Sequence, residues 1–392
     1  MGVASADVIV VGLGAVGSAV CRFLAESGAR VIGIDRFRPP HDQGSSHGLS
    51  RITRLAVGEG AAFVPLVMRS HALWRELEAA SGETLLRRTG GLVVASGAAQ
   101  RGSFHGQASF FTQTIELAER FAIEHELLDA AAIRERFPAF QPAGDERGYF
   151  EPAAGVLFAE KIVAAQLAQA ERHGATLRFD ERVLAVEPGT GAVALRSDRG
   201  RYSAARVVVA AGAWMPSFVG PRLAARLRVL RQVLYWFGVE EPALYAPERC
   251  PIFIWLHGSG AGGSMYGLPM VDGVAGVKVG TEQDTVECDP DRVDRRLAAG
   301  DAAAVFERHV RGRLRGLSLP PVHTATCLYT STADASFIVG AHPQSPAVTL
   351  VSACSGHGFK HSAALGESIA QSVLGQAPRL SLDAFAAPAG TI

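Results

Sequence analysis

The segment Val8-Ile9-Val10-Val11-Gly12-Leu13-Gly14-Ala15-Val16-Gly17, followed by Val31-Ile32-Gly33-Ile34-Asp35, constrains the fold more than any other stretch of the chain. The apolar, β-branched run reads as a buried strand, the three glycines as a tight turn opening a helix, and the second run as a parallel strand ending in a carboxylate. In such a unit the first glycine permits the turn, the second lets backbone approach a pyrophosphate, and the third lets helix pack on strand. Asp35 stands where a ribose hydroxyl needs an acceptor, and the helix N-terminus offers unpaired N–H groups to the phosphates. A dinucleotide site at the start of the chain, in an α/β fold, is the expectation.

Composition narrows what else the chain does. Its 392 residues suffice for two or three domains, and Lys+Arg 38 against Asp+Glu 38 gives no net charge to attract nucleic acid or an anionic membrane. No apolar run approaches a membrane span and no basic leader precedes the first strand, so the expected location is the cytoplasm. Five cysteines (Cys21, Cys250, Cys288, Cys327 and Cys354), scattered and without a CxxC pair, suggest buried thiols rather than disulfides or a metal centre.

Further along, the turn-rich stretch from Pro39-Pro40-His41 to Ser46-His47-Gly48 predicts a loop beside the nucleotide. Apolar spacing predicts helices over residues 63–80, 115–125, 130–136, 160–173 and, with many arginines, 293–314. Strands are expected at 175–179, 182–186, 206–214, 233–239, 252–256 and 276–280, with Gly258 to Gly263 as a hairpin loop. The run at 206–214 is apolar on both faces, as a central strand is, and ends in small residues that allow close ligand approach. Lys278 lies on an otherwise apolar strand, where an unpaired ammonium is costly to bury; periodicity alone leaves an exposed face equally open.

Together with the fingerprint, the motifs Gly44-Ser45-Ser46-His47-Gly48 through Arg51 and Arg54, Gly58-Glu59-Gly60, Glu151-Pro152, Cys327-Leu328-Tyr329-Thr330 and Ser355-Gly356-His357-Gly358-Phe359-Lys360 make the chain resemble the monomeric sarcosine oxidase and N-methyltryptophan oxidase group of the D-amino-acid oxidase-like flavoproteins. The likeness runs nearly the whole length. It implies a Rossmann-like FAD domain (1–89, 150–219, 326–392) and an α+β substrate domain with a mainly antiparallel sheet (90–149, 220–325). It also implies a monomer acting on a small secondary amino acid and dioxygen, with no metal. FAD would be held by Gly12, Gly14, Gly17, Asp35, Ser45, His47, Arg51, Val183, Gly212, Gly356, Gly358 and Lys360, and tied by a thioether to Cys327. Taken alone, Cys327 reads as a buried thiol.

The same resemblance places Arg54 and Lys360 on the substrate carboxylate, where a planar guanidinium and a compact ammonium suit that anion. Arg51 and His357 would lie near the flavin, and Lys278 beneath it, stabilising superoxide as oxygen is reduced. Tyr266 and Tyr329 would line the cavity, although either could be a core tyrosine with its hydroxyl paired. The chain departs from sarcosine oxidase at Glu282, where that enzyme carries a histidine; an acid there, with Trp255 nearby, could receive a cationic or hydroxylated substrate tail. A flavoprotein dehydrogenase, a 2-hydroxy-acid oxidase, or a non-catalytic protein that holds FAD structurally are the alternative readings.

Overall fold

The computed structural model of the chain describes residues 3–97, 104, 105, 107, 109–258, 262–271, 273–283 and 285–387. The strand Ala4–Val11, whose last four residues are buried, is the centre of an eight-stranded sheet. Val31–Ile34 and Arg201–Val209 flank it in parallel, Thr176–Arg178 and Ser345–Ser352 extend those sides in parallel, and three further strands join antiparallel. One face is covered by the helices Ala15–Glu26, Ala159–Arg172 and Ser362–Val373. The first and last approach closely, since a Cβ at Gly366 would fall 2.3 Å from that of Ala19.

A second eight-stranded sheet runs from Leu317–Ser331 through Arg228–Val239, Gly276–Gly280, Ser264–Leu268 and Ile252–Leu256 to Gly91–Ala95, Arg147–Glu151 and Glu126–Asp129. All its pairings are antiparallel except that of Ile252–Leu256 with Gly91–Ala95. The expected fold class, a Rossmann-like sheet beside a mainly antiparallel one, therefore holds. A small sheet of Ser50–Thr53, Leu86–Arg88 and Gly155–Phe158 presents Arg51 and leads to Arg54.

The helix Phe63–Ser81 shows how pattern became packing. Phe63, Val64, Leu66, Val67, Leu73, Trp74 and Leu77 are buried at helical spacing, and Gly82 ends the helix at φ +74°, where its N–H bonds Glu78 O. Elsewhere local forces overrode the pattern. The helix expected over 293–314 is only Asp301–Val305 with a wider turn at Phe306–Val310. Before it, Asp294 accepts from the Arg296 N–H, and Arg295 donates to Asp42 O, Gln43 O and Thr326 O, so the segment is held to its neighbours instead. Likewise the strand expected at 206–214 ends at Val209, because the chain turns through Gly212 at φ +54° into the short helix Gly212–Phe218. The hairpin between Leu256 and Ser264 forms as expected, residues 259–261 lying outside those described. Cys288 and Cys354 are partly exposed rather than buried; all five cysteines are free thiols. Among the described residues no helix is long and apolar enough to cross a membrane, and no group of three acidic, histidine or cysteine side chains is gathered for a metal.

Candidate active site

One continuous cavity runs from the glycine turn to the second sheet, lined among others by Gly12, Gly14, Asp35, Ser45, Arg51, Arg54, Val183, Gly212, Lys278, Cys327, Tyr329, Gly356, Gly358 and Lys360. At its first end the wall is backbone. A Cβ at Gly12, where φ is +85°, would meet Ala210 O at 2.5 Å, and one at Gly17 would fall 1.8 Å from Gly12 O. Asp35 fixes this turn: Oδ2 accepts from the Leu13 N–H at 2.7 Å and Oδ1 from the Phe37 N–H at 2.9 Å. Ser46 Oγ accepts from Ala15 N at 3.1 Å, so the turn is also tied to the Ser45–Gly48 loop. Ser45 Oγ and Thr330 Oγ1 are buried against the cavity without a hydrogen-bond partner among the described residues. Unmet polar atoms in a cavity that begins at a side-chain-free glycine turn fit a flavin nucleotide, whose polar edges would satisfy them.

In the middle, Lys278 is buried, which rules out the exposed-strand reading. Its Nζ donates to Gly48 O at 2.6 Å and Ser50 O at 2.7 Å and lies 4.9 Å from the Trp236 ring centre. Arg51 donates to Ser45 O, His47 O and Ser50 O, so its guanidinium shapes the loop it springs from. His47 is buried and pushed down to about 3, first by burial and then by Arg51 and Arg295, which keeps it neutral. Cys327 is buried on the cavity wall; burial pushes its thiol up, against the pull of Arg51 and Lys278.

The far end gathers charge. Arg54 Nη2 donates to Glu59 Oε2 at 2.8 Å, Lys360 Nζ to Glu59 Oε1 at 3.1 Å, and all three side chains are buried. Burial alone would push the Glu59 carboxyl up, but Arg54, Lys360 and the His105 bond outweigh it and hold it well below the carboxylate range. Burial brings Lys360 down to about 8 in spite of Glu59. Tyr266 and Tyr329 meet hydroxyl to hydroxyl at 3.2 Å, so both face the cavity with their polar ends paired to each other. His357 lines the cavity too, yet its ring packs on Phe63 and Phe337, Nε2 donates to Ala335 O at 2.8 Å, and burial holds it neutral.

Two expectations shift. Trp255 turns away from the cavity, its Nε1 donating to Glu146 at 2.7 Å, because strand alternation gives the cavity to Ile254. Glu282 accepts from the His105 backbone N–H at 2.6 Å, and it is His105 that lines the cavity where Glu282 was expected to. Glu59 and His105 carried no role in the sequence reading. Glu59 had a signal, an acid between two glycines five residues after an arginine. Gly58 is packed so tightly that a Cβ would meet Phe110 O at 2.7 Å. His105 had none. Glu151, also unassigned, is a buried carboxylate that accepts from Leu55 N at 2.6 Å, Ala56 N at 3.0 Å and the Tyr149 hydroxyl. It fixes the bend whose Ala56 carbonyl accepts from Arg54.

Residues 7–372 match the sequence profile described as DAO, FAD dependent oxidoreductase. The chain is 37% identical over 373 residues to a monomeric sarcosine oxidase from Streptomyces avermitilis, covering 94% of this chain and 93% of that one. It is 30% identical over 380 residues to an N-methyl-L-tryptophan oxidase from Salmonella newport, 97% of each chain being covered. Among solved structures it superposes on NikD, an unusual amino acid oxidase, with a TM-score of 0.84 at 23% identity, over 98% of this chain and 97% of that one.

Proposed function

The chain belongs to the DAO family of FAD dependent oxidoreductases, and from that premise we propose that it oxidises a secondary, N-alkylated amino acid to an imine that water hydrolyses, with dioxygen reduced to hydrogen peroxide. The observation that carries this reading is the buried set of two cations, Arg54 and Lys360, sharing one carboxylate, Glu59. Within this bonded set two cations share one carboxylate, Glu151 being taken up by the backbone N–H groups of Leu55 and Ala56, and a substrate carboxylate would be the second anion. The names of the relatives, sarcosine oxidase and N-methyl-L-tryptophan oxidase, supply the N-methyl amino acid as substrate class.

Gly12, Gly14 and Asp35 would hold the nucleotide half of FAD, and Ser45, Arg51, Val183, Gly212, Gly356 and Gly358 would line the rest; Gly17 and His47 do not line the cavity but support it, Gly17 packed on Gly12 O and His47 O accepting from Arg51. When bound, FAD supplies the two-electron chemistry, receiving a hydride equivalent from the substrate carbon and passing electrons to dioxygen. Arg54 and Lys360 would fix the carboxylate and so orient the carbon beside the nitrogen; the Tyr266–Tyr329 pair lines the same cavity. Lys278 holds a buried positive charge at the cavity, where it stabilises negative charge gathering on oxygen. His357, with Nε2 committed to a carbonyl, shapes the wall as a neutral ring.

Cys327, a buried thiol on the cavity wall, would carry the flavin through a thioether; acid denaturation should then leave flavin on the native chain and release it from Cys327→Ala. We take the protein as a cytoplasmic monomer, which sedimentation at micromolar concentration would check. The deciding experiment is anaerobic bleaching of the bound flavin by sarcosine, N-methyl-L-tryptophan, pipecolate, proline, primary D-amino acids and 2-hydroxy acids. Bleaching by secondary amino acids supports the reading. Bleaching by 2-hydroxy acids or primary amines alone overturns it.

A further inference from the structure

His105 stands outside every sequence motif of the site, yet it lines the cavity between two carboxylates. Backbone puts it there. Its φ is +48°, its N–H is held by Glu282 Oε1 at 2.6 Å, and Phe104 and Gln107 exchange backbone bonds of 3.1 and 3.0 Å on either side of it. The buried Phe104 ring lies 4.1 Å from the imidazole, centre to centre. A side chain so placed by its own backbone is fixed rather than swept in by chance.

The groups that face the ring come from four parts of the chain. Glu59 Oε1 lies 3.2 Å from Nδ1 and also accepts from Lys360 Nζ, while Arg54 holds Glu59 Oε2; Glu282 Oε1 lies 3.8 Å from Nε2; and the His357 ring is 5.3 Å away. Tyr329 approaches across Gly356, where a Cβ would lie 3.0 Å from Tyr329 Cε2 and 3.1 Å from His105 Nε2. Because Glu59 is ionised it can only accept, so Nδ1 carries the hydrogen of their bond. In the neutral ring the lone pair then belongs to Nε2. The 3.8 Å to Glu282 is beyond hydrogen-bond reach, and Nε2 sits beside Gly356 on the cavity wall.

We infer that, in the oxidation proposed above, His105 Nε2 accepts the proton that the substrate ammonium must lose before its nitrogen lone pair can assist oxidation of the neighbouring carbon. The N–H bond of the ammonium breaks, the proton bonds to Nε2, and the neutral secondary amine stays anchored by its carboxylate on Arg54 and Lys360. The imidazolium so formed lies between Glu59 and Glu282, whose charges stabilise it, and it returns the proton to water after the imine leaves. Glu282 is a positioning residue for His105, not a contact for a substrate tail.

The test is anaerobic stopped-flow reduction of the holoenzyme by sarcosine and by N-methyl-L-tryptophan, from about pH 6 to about pH 10, in wild type and His105→Gln. Methoxyacetate, a carboxylate with an ether in place of the amine, is titrated in parallel by its effect on the flavin spectrum. The expected result is a loss of about 10²-fold in kred/Kd near neutral pH in His105→Gln, the low end for a lost base. That loss should disappear as pH rises past the ammonium's own titration, while methoxyacetate affinity stays at the wild-type value. Glu282→Gln should shift the wild-type inflection downward with a smaller loss. An unchanged pH profile in His105→Gln, or a methoxyacetate affinity that falls in step with kred/Kd, overturns the inference while leaving the function standing. Failure of both N-methyl amino acids and every other secondary amine to reduce the wild-type flavin overturns the function and the inference with it.

Discussion

At Gly12 and Gly17 the first end of the cavity is packed backbone against backbone, so that an added Cβ would meet a carbonyl oxygen; around Arg54 the wall is made of buried charges from segments far apart in the chain. On the proposed function the first end would recognise its ligand by shape, which needs no counter-charge. The second would recognise by an imbalance of charge, in which Glu59 offsets the buried Arg54 and Lys360. Gly12 and Gly17 leave no room for an added atom, and Arg54 and Lys360 depend on the charge of Glu59.

Substitutions can break that contrast. The largest effect is expected at Gly17, where a Cβ would fall 1.8 Å from Gly12 O and neither atom belongs to a movable side chain. Gly17→Val should purify without flavin, and a variant holding a full complement would show that the turn can give. Next comes Glu59→Gln, which strands two buried cations and should cost about 3–5 kcal/mol in denaturant unfolding. A cost under about 1 kcal/mol would mean the charges are solvated after all.

Lys278→Met removes a buried charge that belongs to neither end. Reoxidation of reduced enzyme by dioxygen should slow about 10²- to 10³-fold with reduction by substrate little changed. Equal slowing of both half-reactions would deny Lys278 its place at oxygen. The smallest effect is titration of Lys360. Its folded-state value of about 8 lies below the ordinary 10.5, so the folded chain gives up this proton first. Between those values the unfolded chain holds more protons, and stability rises with pH. Carboxylate binding moves the other way, with the Kd of methoxyacetate rising roughly tenfold by about pH 9 as the ammonium is lost. A flat profile would place the anchoring charge on Arg54 alone.

How much could be read in advance follows the same division. The nucleotide turn and Asp35 are local: spacing within one βαβ unit states the geometry, and each glycine is there because something occupies the space of its Cβ. The strand at 252–256 was also legible, but which of its faces meets the cavity depends on the partner sheet, so Trp255 was expected where Ile254 stands. Arg54 and Lys360 stood out by resemblance, whereas Glu59, which makes their burial tolerable, has meaning only once they are brought to it. His105 reaches the site through a turn pinned by Glu282, a contact between segments 177 residues apart that no periodicity announces. The arginines of 293–314 failed in the opposite sense, a helical pattern outweighed by Arg295 bonding the carbonyls of Asp42 and Gln43 in one loop and of Thr326 in the strand Leu317–Ser331.

The seating of Ser362–Val373 against Ala15–Glu26, with Gly366 on Ala19, sets an order of events during synthesis. Glu59 leaves the ribosome 301 residues before Lys360 arrives to pair with it. At about 5–20 residues per second that is about 15–60 s. For that interval the nascent chain has its glycine turn but lacks both the closing helix and the second cation. Cofactor capture is therefore expected only after Lys360 and the helix Ser362–Val373 have emerged, and a truncation before Gly356 should be isolated as apoprotein however intact its first strands are.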